Sequence, residues 1–420
     1  MNAREQKIKK LLLGFLLVLL MLPLVQQYVG LVHVQDLKGA QDPAVKPVFS
    51  KTNWLEGSFQ DSFASWYNEN FGFRNTLVRV RNQAGFSLYN VAFANGVIIG
   101  KDNYLYEENY IKAYTGEDFI GEKELKDKAM KLKAIQDSLA KKGVTLIVCL
   151  AAGKASYFPE YIPDEYGPAA AKTNYNVFAR MLNEQNVNNI DFNKWFVDHK
   201  KTTPYPLFSK TGIHWSRYAS MHVMDSLVKW VEWKRNVDMP GIVFGATTMS
   251  DSLQSPDDDI GEAMNLFCPI AAFRMGYQDF HYEDTTGKAK VKMMAISDSF
   301  FWELFDSYPT PAPFDSIEFY YYDRSIYHRD GSAPTVVDPD KAMEDVSKFN
   351  VVMIMGTEDN IVPLGWGFID NAYDYFVLHK EVALEDRLTH SYEAAIRMDG
   401  GWLKAVRKKA IDAGIPLDSM

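Results

Sequence analysis

The sequence predicts an α/β protein built on a doubly wound parallel sheet, with one N-terminal transmembrane helix and helical extensions at both ends. Three observations predict it. Short, continuous apolar runs at 144–150 (VTLIVCL), 291–296 (VKMMAI) and 351–355 (VVMIM) have the length and composition of strands buried on both faces. Segments with helical spacing lie between them, as parallel strands joined by crossovers require. A charge-free segment at 11–25 stands apart, and no second run approaches its length.

Composition sets the outer bounds. At 420 residues, 47% hydrophobic and 24% charged, the chain can bury one large core or two modest ones. Lys and Arg total 45 against 54 Asp and Glu, and no basic block occurs beyond the first ten residues, which excludes a dedicated nucleic-acid binder. Cys149 and Cys268 are the only cysteines, without a CxxC pair or ligand-spaced histidines. That excludes a disulfide scaffold and a structural zinc site. One bridge between the two is formally open, and two buried free thiols are the favoured reading.

The elements follow in order. Residues 11–25 (LLLGFLLVLLMLPLV), extended by QQYVGLV to 32, would make a helix about 33 Å long at about 1.5 Å per residue, enough to span a bilayer. Arg4, Lys7, Lys9 and Lys10 precede it and little positive charge follows, so the amino end should stay cytoplasmic and the body be exported. A cleaved signal peptide is the rival; no small-x-small site follows closely, which favours an uncleaved anchor over 1–34. Residues 35–95 read as a polar spacer with Pro43 and Pro47, then an aromatic-rich helical preface packed on the main domain. The catalytic domain is expected over 96–360, opening with a hairpin that turns at KDN. A helix over 122–142, stopped by Gly143, feeds the first strand; a second, over 174–185, precedes the short strand NNIDF. Further strands are expected at 291–296, 316–322 and 351–355, and a helical tail over 361–420, with two short surface helices after 382.

In such a sheet, chemistry belongs at the carboxyl ends of strands. Strand VKMMAI is followed at once by Ser297, Asp298 and Ser299. A serine on a turn between strand and helix presents its hydroxyl at the open edge, and unpaired N–H groups at the turn can meet an oxyanion. The plainer reading is that these residues cap the following helix. His214, in SKTGIHWSRYAS just before a helix, is the histidine placed to serve as a base. A lone histidine is ordinarily structural, so the pair carries the weight.

The exported region resembles the alginate O-acetyltransferase proteins, the membrane-anchored type with an SGNH-hydrolase-like domain. The resemblance runs in order through FGFR at 71–74, KDNYLY, LIVCLAAGKASYFPEYIP, the pair His214–Trp215, SDSFF at 297–301 and FYYYDRS. It implies an SGNH-hydrolase-like sheet, Ser299 as nucleophile and His214 as its base, in an order permuted relative to ordinary SGNH esterases. Two positions depart from the pattern: Gly212 stands where the family's DxHW motif has an aspartate, and Ser297 replaces the glycine of GDS. The acid that would orient the imidazole is thus missing from its usual place. Asp191 and Asp298 are the acids expected to substitute, with helix capping as the alternative for each.

Lys154, Tyr157, Trp215 and Tyr321 form the expected substrate-binding set: the resemblance puts Lys154 near the pocket, where it could meet an oxyanion or sugar hydroxyl, with a solvent-facing lysine as the alternative, and core packing is the alternative for the aromatic residues. The acidic run DDDIGE at 257–262 lacks the spacing of a calcium loop and reads as solvated. The resemblance implies an acyl-serine O-acetyltransferase acting on an extracellular polysaccharide, with no cofactor or metal. Its implied partner is a multi-spanning membrane-bound O-acyltransferase that delivers acetyl groups. A carbohydrate acetylesterase using the same pair, and a catalytically inactive polysaccharide-binding scaffold, are the alternatives.

Overall fold

Among the described residues, seven strands make the central sheet: β1 (Thr145–Leu150), β2 (Asn189–Asp191), β3 (Lys292–Ser297), β4 (Ser316–Tyr321), β5 (Ser325–His328), β6 (Thr335–Val336) and β7 (Val351–Gly356). They lie in the order β6-β5-β4-β3-β7-β1-β2. All pairs from β4 to β2 are parallel, with Ile354 of β7 opposite Val148 of β1 and Ile296 of β3. The computed structural model describes residues 3–39, 44–306, 313–380 and 389. It divides into two units, Met1–Ile99 with Asp259–Ala271, and Gly100–Asp258 with Ala272–Met420.

The sheet is central because its strands are apolar on both faces. Leu146, Val148, Leu150, Met294, Ile296, Val352 and Ile354 point to one side and belong to one core cluster. Their neighbours Ile147, Cys149, Met293, Ala295, Met353 and Met355 are equally buried. Each such aliphatic side chain contributes about 1.5–3 kcal/mol of burial. Helix Glu122–Ala140 covers the first face with Leu125, Ala129, Leu132, Ile135 and Leu139, one per turn. Helix Asn174–Glu184 joins the cluster through Val177, Phe178, Met181 and Leu182. Thr173 and Asn176 close its amino end with a reciprocal capping box (3.1 and 3.0 Å).

The α/β class and parallel sheet are as the sequence predicts. Three features differ. The sheet ends in two antiparallel strands, β5 and β6, that the sequence reading lacked, as it did the antiparallel pair Ile242–Ser250 and Met275–Tyr282. These strands carry partly exposed, mixed side chains, so no continuous apolar run marks them. Cys149 and Cys268 are both free, but only Cys149 is buried; Cys268 lies exposed, its N–H donating to Gln83 (2.9 Å). Asp257, expected in a solvated loop, is fully buried.

In the first unit, helix Ala3–Val29 is the one helix among the described residues long and apolar enough to cross a membrane, and none of its apolar window is buried. Gly30 (φ +64°) ends it, while the Gln26 amide donates to the Val32 carbonyl (2.7 Å) and accepts from the Val32 N–H (3.2 Å). Helices Lys51–Glu56, Ser58–Asn70 and Arg74–Tyr89 follow. A turn at Lys101–Asn103 stands between strands Val97–Ile99 and Leu105–Glu107, where the hairpin was expected. Of the tail expected over 361–420, helix Phe368–Phe376 joins the core cluster rather than standing apart, and the two short helices expected after 382 fall on residues that, apart from 389, lie outside the described ones.

Candidate active site

Strand β3 delivers its last residues to the carboxyl edge of the sheet, and a 3₁₀ turn, Ser299–Phe301, begins there. Asp298 makes the turn. Its Oδ1 accepts from the Phe300 N–H (3.1 Å), and its Oδ2 accepts from the Thr357 N–H (2.9 Å), the Thr357 hydroxyl (2.9 Å) and the Asn360 amide (3.1 Å). Thr357 and Asn360 stand just past β7, so one buried carboxylate ties two neighbouring strand ends together. Burial pushes the Asp298 carboxyl up, opposed by these donors and by attraction to His214. Held this way, Ser299 is left half-exposed at the rim.

His214 arrives from a different part of the chain. Ser216, two residues on, accepts from the Ala219 N–H (3.2 Å) to cap helix Arg217–Arg235, and donates to the Pro206 carbonyl (2.8 Å). Trp215 is fully buried against Phe192, Phe196 and Phe300. With both neighbours fixed, the His214 ring packs on Phe300 (4.7 Å between centroids), and its Nε2 lies 2.9 Å from the Ser299 Oγ across 85 residues of sequence. The hydroxyl donates to Nε2 when the proton is on Nδ1, the arrangement a general base requires.

The other predicted residues fall in two groups. Lys154 is fully buried: its ammonium donates to the carbonyls of Lys210 (2.8 Å) and Gly212 (2.6 Å) and lies 5.5 Å from the Tyr106 ring centre. It thus fastens the loop that carries His214. Tyr157 is buried among Phe158, Phe196 and Phe208. Tyr321 alone of the four is half-buried, against Trp302, Tyr322 and Tyr327. Asp191 caps helix Phe192–His199 through the Lys194 N–H (2.9 Å) and accepts from the Tyr175 hydroxyl (2.9 and 3.0 Å). Asp298 is the one expected acid at the pair, and its oxygens are taken by the strand-end donors.

Three further features shape the surroundings of the pair. Tyr322 adopts a left-handed φ of +51° at the end of β4; burial pushes its phenol up, and hydrogen bonding with Ser299 opposes that. Glu358, after β7, is buried and Asp359 half-buried, and desolvation pushes their carboxyls up to about 7 and about 8. Glu358 accepts from the Ser156 hydroxyl (2.6 Å), and Asp359 from Thr357 (2.6 Å) and Asn109 (2.6 Å). A GTEDN stretch directly after an apolar run was the available signal. Finally, Gly212 faces the backbone of Pro256 and Asp257: a Cβ there would sit 2.7 Å from the Pro256 oxygen and 3.0 Å from the Asp257 carbonyl carbon.

A parallel sheet with a serine and a histidine in contact at its carboxyl edge makes this an α/β domain carrying a serine–histidine pair. Residues 97–253 match the family described as the SGNH hydrolase-like domain of acetyltransferase AlgX. That match includes His214 and ends before Ser299. Over that segment, less than half of its length, the chain is similar to this family. A curated relative, the probable alginate O-acetylase AlgJ of Pseudomonas aeruginosa, is 23% identical over 190 residues, 45% of this chain and 46% of the relative. The chain therefore matches about half the length of that relative. Among solved structures, the O-acetyltransferase domain of Pseudomonas putida AlgJ is 17% identical, covering 63% of this chain and 92% of that one, with a TM-score of 0.43. Pseudomonas aeruginosa AlgX is 11% identical, covering 69% and 70%, with a TM-score of 0.41.

Proposed function

We propose that this protein is a membrane-anchored O-acetyltransferase that moves an acetyl group through an acyl-serine to hydroxyls of an extracellular polysaccharide. The observation that carries the reading is the 2.9 Å contact between Ser299 Oγ and His214 Nε2 at an accessible sheet edge. In the first half-reaction the Ser299 oxygen attacks the acetyl carbon and its proton passes to His214 Nε2. The bond from acetyl carbon to donor heteroatom then breaks, and the leaving group takes that proton. In the second, a sugar hydroxyl attacks the acetyl-serine and gives its proton to Nε2. The bond to Oγ breaks and Oγ recovers the proton. In this reading the Ser299 N–H, at the start of its turn, stabilises the oxyanion in both steps, a role worth about 2.7–4 kcal/mol per donor.

Helix Ala3–Val29 serves as the anchor, with the cationic amino end cytoplasmic and the catalytic unit outside. Activated acetyl groups are made in the cytoplasm, so the donor is a multi-spanning membrane O-acyltransferase that carries them across. The names of the relatives make alginate the first acceptor to try. The test supplies the detergent-solubilised full chain with an acetyl ester, with and without uronate oligosaccharide. Acetylated oligosaccharide formed by the wild type and absent with Ser299→Ala supports transfer. Free acetate alone, whether or not acceptor is present, points to an esterase.

A further inference from the structure

We propose that the Asp257–Asp258 segment supplies the carboxylate that orients His214, in place of the acid absent at Gly212. The inference rests on the serine–histidine reading above and deepens it. An imidazole that takes the Ser299 proton on Nε2 must hold a proton on Nδ1, and a carboxylate facing that nitrogen fixes the tautomer and stabilises the imidazolium. In the motif, this acid reaches back from two residues before the histidine.

Here that route is closed. The space a side chain at 212 would enter is filled by the Pro256–Asp257 backbone, 2.7 Å and 3.0 Å from where its Cβ would lie. What closes the route is the backbone of the segment that carries Asp257 and Asp258. Asp257 is fully buried and Asp258 half-buried. Both take part in further hydrogen-bonding or electrostatic interactions, as does Asp257 with Tyr277. A fully buried carboxylate is costly unless charge or hydrogen bonds compensate it, and a nearby imidazolium is such compensation. The segment is itself fixed: the Asp257 N–H donates to the Gln254 carbonyl (2.8 Å), and the Gln254 N–H donates to the Tyr277 hydroxyl (2.8 Å).

The other acids are committed elsewhere. Asp298 attracts His214 electrostatically, but its oxygens accept from Phe300, Thr357 and Asn360. Asp191 holds Lys194 and Tyr175. Asp298 on the β3 turn and Tyr322 after β4 interact with the pair, while Tyr277 interacts with Asp257 and with Arg217 at the start of the helix after His214, and Asp258 follows Asp257 on its loop. Acting through His214, the acid of the loop is a positioning residue.

The experiment compares full-length Asp257→Asn, Asp258→Asn and the double variant with the wild type. Readouts are kcat/KM for an acetyl ester across pH, the rate of Ser299 sulfonylation by a serine-directed sulfonyl fluoride, and thermal unfolding. One Asn variant, identifying the acid, should lose about 10²- to 10⁴-fold in both rates with KM nearly unchanged and an altered acid limb of the pH profile. The corresponding Asp→Glu variant should recover part of the loss. Rates within about tenfold of wild type in all three Asn variants would overturn the proposal. Should a variant fail to fold, ¹⁵N-histidine NMR of the unaltered protein decides. A far-downfield Nδ1 proton on His214 supports the proposal, and an Nε2-protonated ring overturns it. Loss of activity in Ser299→Ala with full activity in the Asp variants removes only this inference; full activity in Ser299→Ala removes the serine reading itself.

Discussion

Replacing Lys154 with methionine separates two roles for a buried cation beside the loop that carries His214. The ammonium makes two charge-assisted hydrogen bonds, to the carbonyls of Lys210 and Gly212. Each is worth about 1.5–3 kcal/mol, and their removal strands both carbonyls. The substitution also removes the desolvation cost of the charge and keeps most of the aliphatic stem, so the net loss is smaller, about 2–4 kcal/mol. For a unit of this size, with an unfolding entropy of about 2.1 cal/mol/K per residue, that corresponds to a fall of about 3–6 °C in Tm. The same bonds hold the loop that positions His214, and a 1 Å displacement of a catalytic group costs about 10²-fold in rate. Differential scanning calorimetry and acetyl-ester turnover should therefore fall together in Lys154→Met. A variant with wild-type Tm and a loss confined to kcat would refute this account, because it would place the amine on the substrate.

Two further outcomes follow from the same geometry. Gly212→Ala places a methyl 2.7 Å from the Pro256 oxygen and 2.8 Å from the Ser209 hydroxyl; the variant should lose about 1–3 kcal/mol in urea unfolding, and a neutral result would mean that the 254–258 loop yields easily. Glu358 and Asp359 stay protonated to about 7 and about 8 when folded, whereas unfolded carboxyls release their protons near 4. The folded chain thus binds more protons, so stability from these groups is complete in acid and falls as pH rises from about 4 through about 8. Glu358→Gln should flatten that decline in Tm-against-pH scans, and an unchanged slope would show that Glu358 does not titrate in this window.

What the sequence disclosed depended on whether the signal was local. Strands β1, β3 and β7 were legible because burial on both faces leaves no room for polar residues, and each reads as an apolar run. Strands β5 and β6 pair at the edge with half-exposed or exposed side chains, and their pattern fades into that of loops. Ser299 and His214 could be singled out because each sits where strand or loop gives way to a helical turn. The fate of Lys154 was not legible: a lysine after a strand can face solvent or, as here, fasten a loop 56 residues away, and only packing decides. The burial of Asp257 is likewise long-range, set by a close approach to Gly212 that leaves only a glycine as its trace.

Intact-protein and peptide mass spectrometry after brief exposure of the full chain to an acetyl ester bears most directly on the central claim. The account predicts an acetyl group on Ser299 in the wild type, none in Ser299→Ala, and accumulation slowed at least about 10³-fold in His214→Ala. Turnover of the ester with Ser299 unmodified, or equal labelling in His214→Ala, would contradict it.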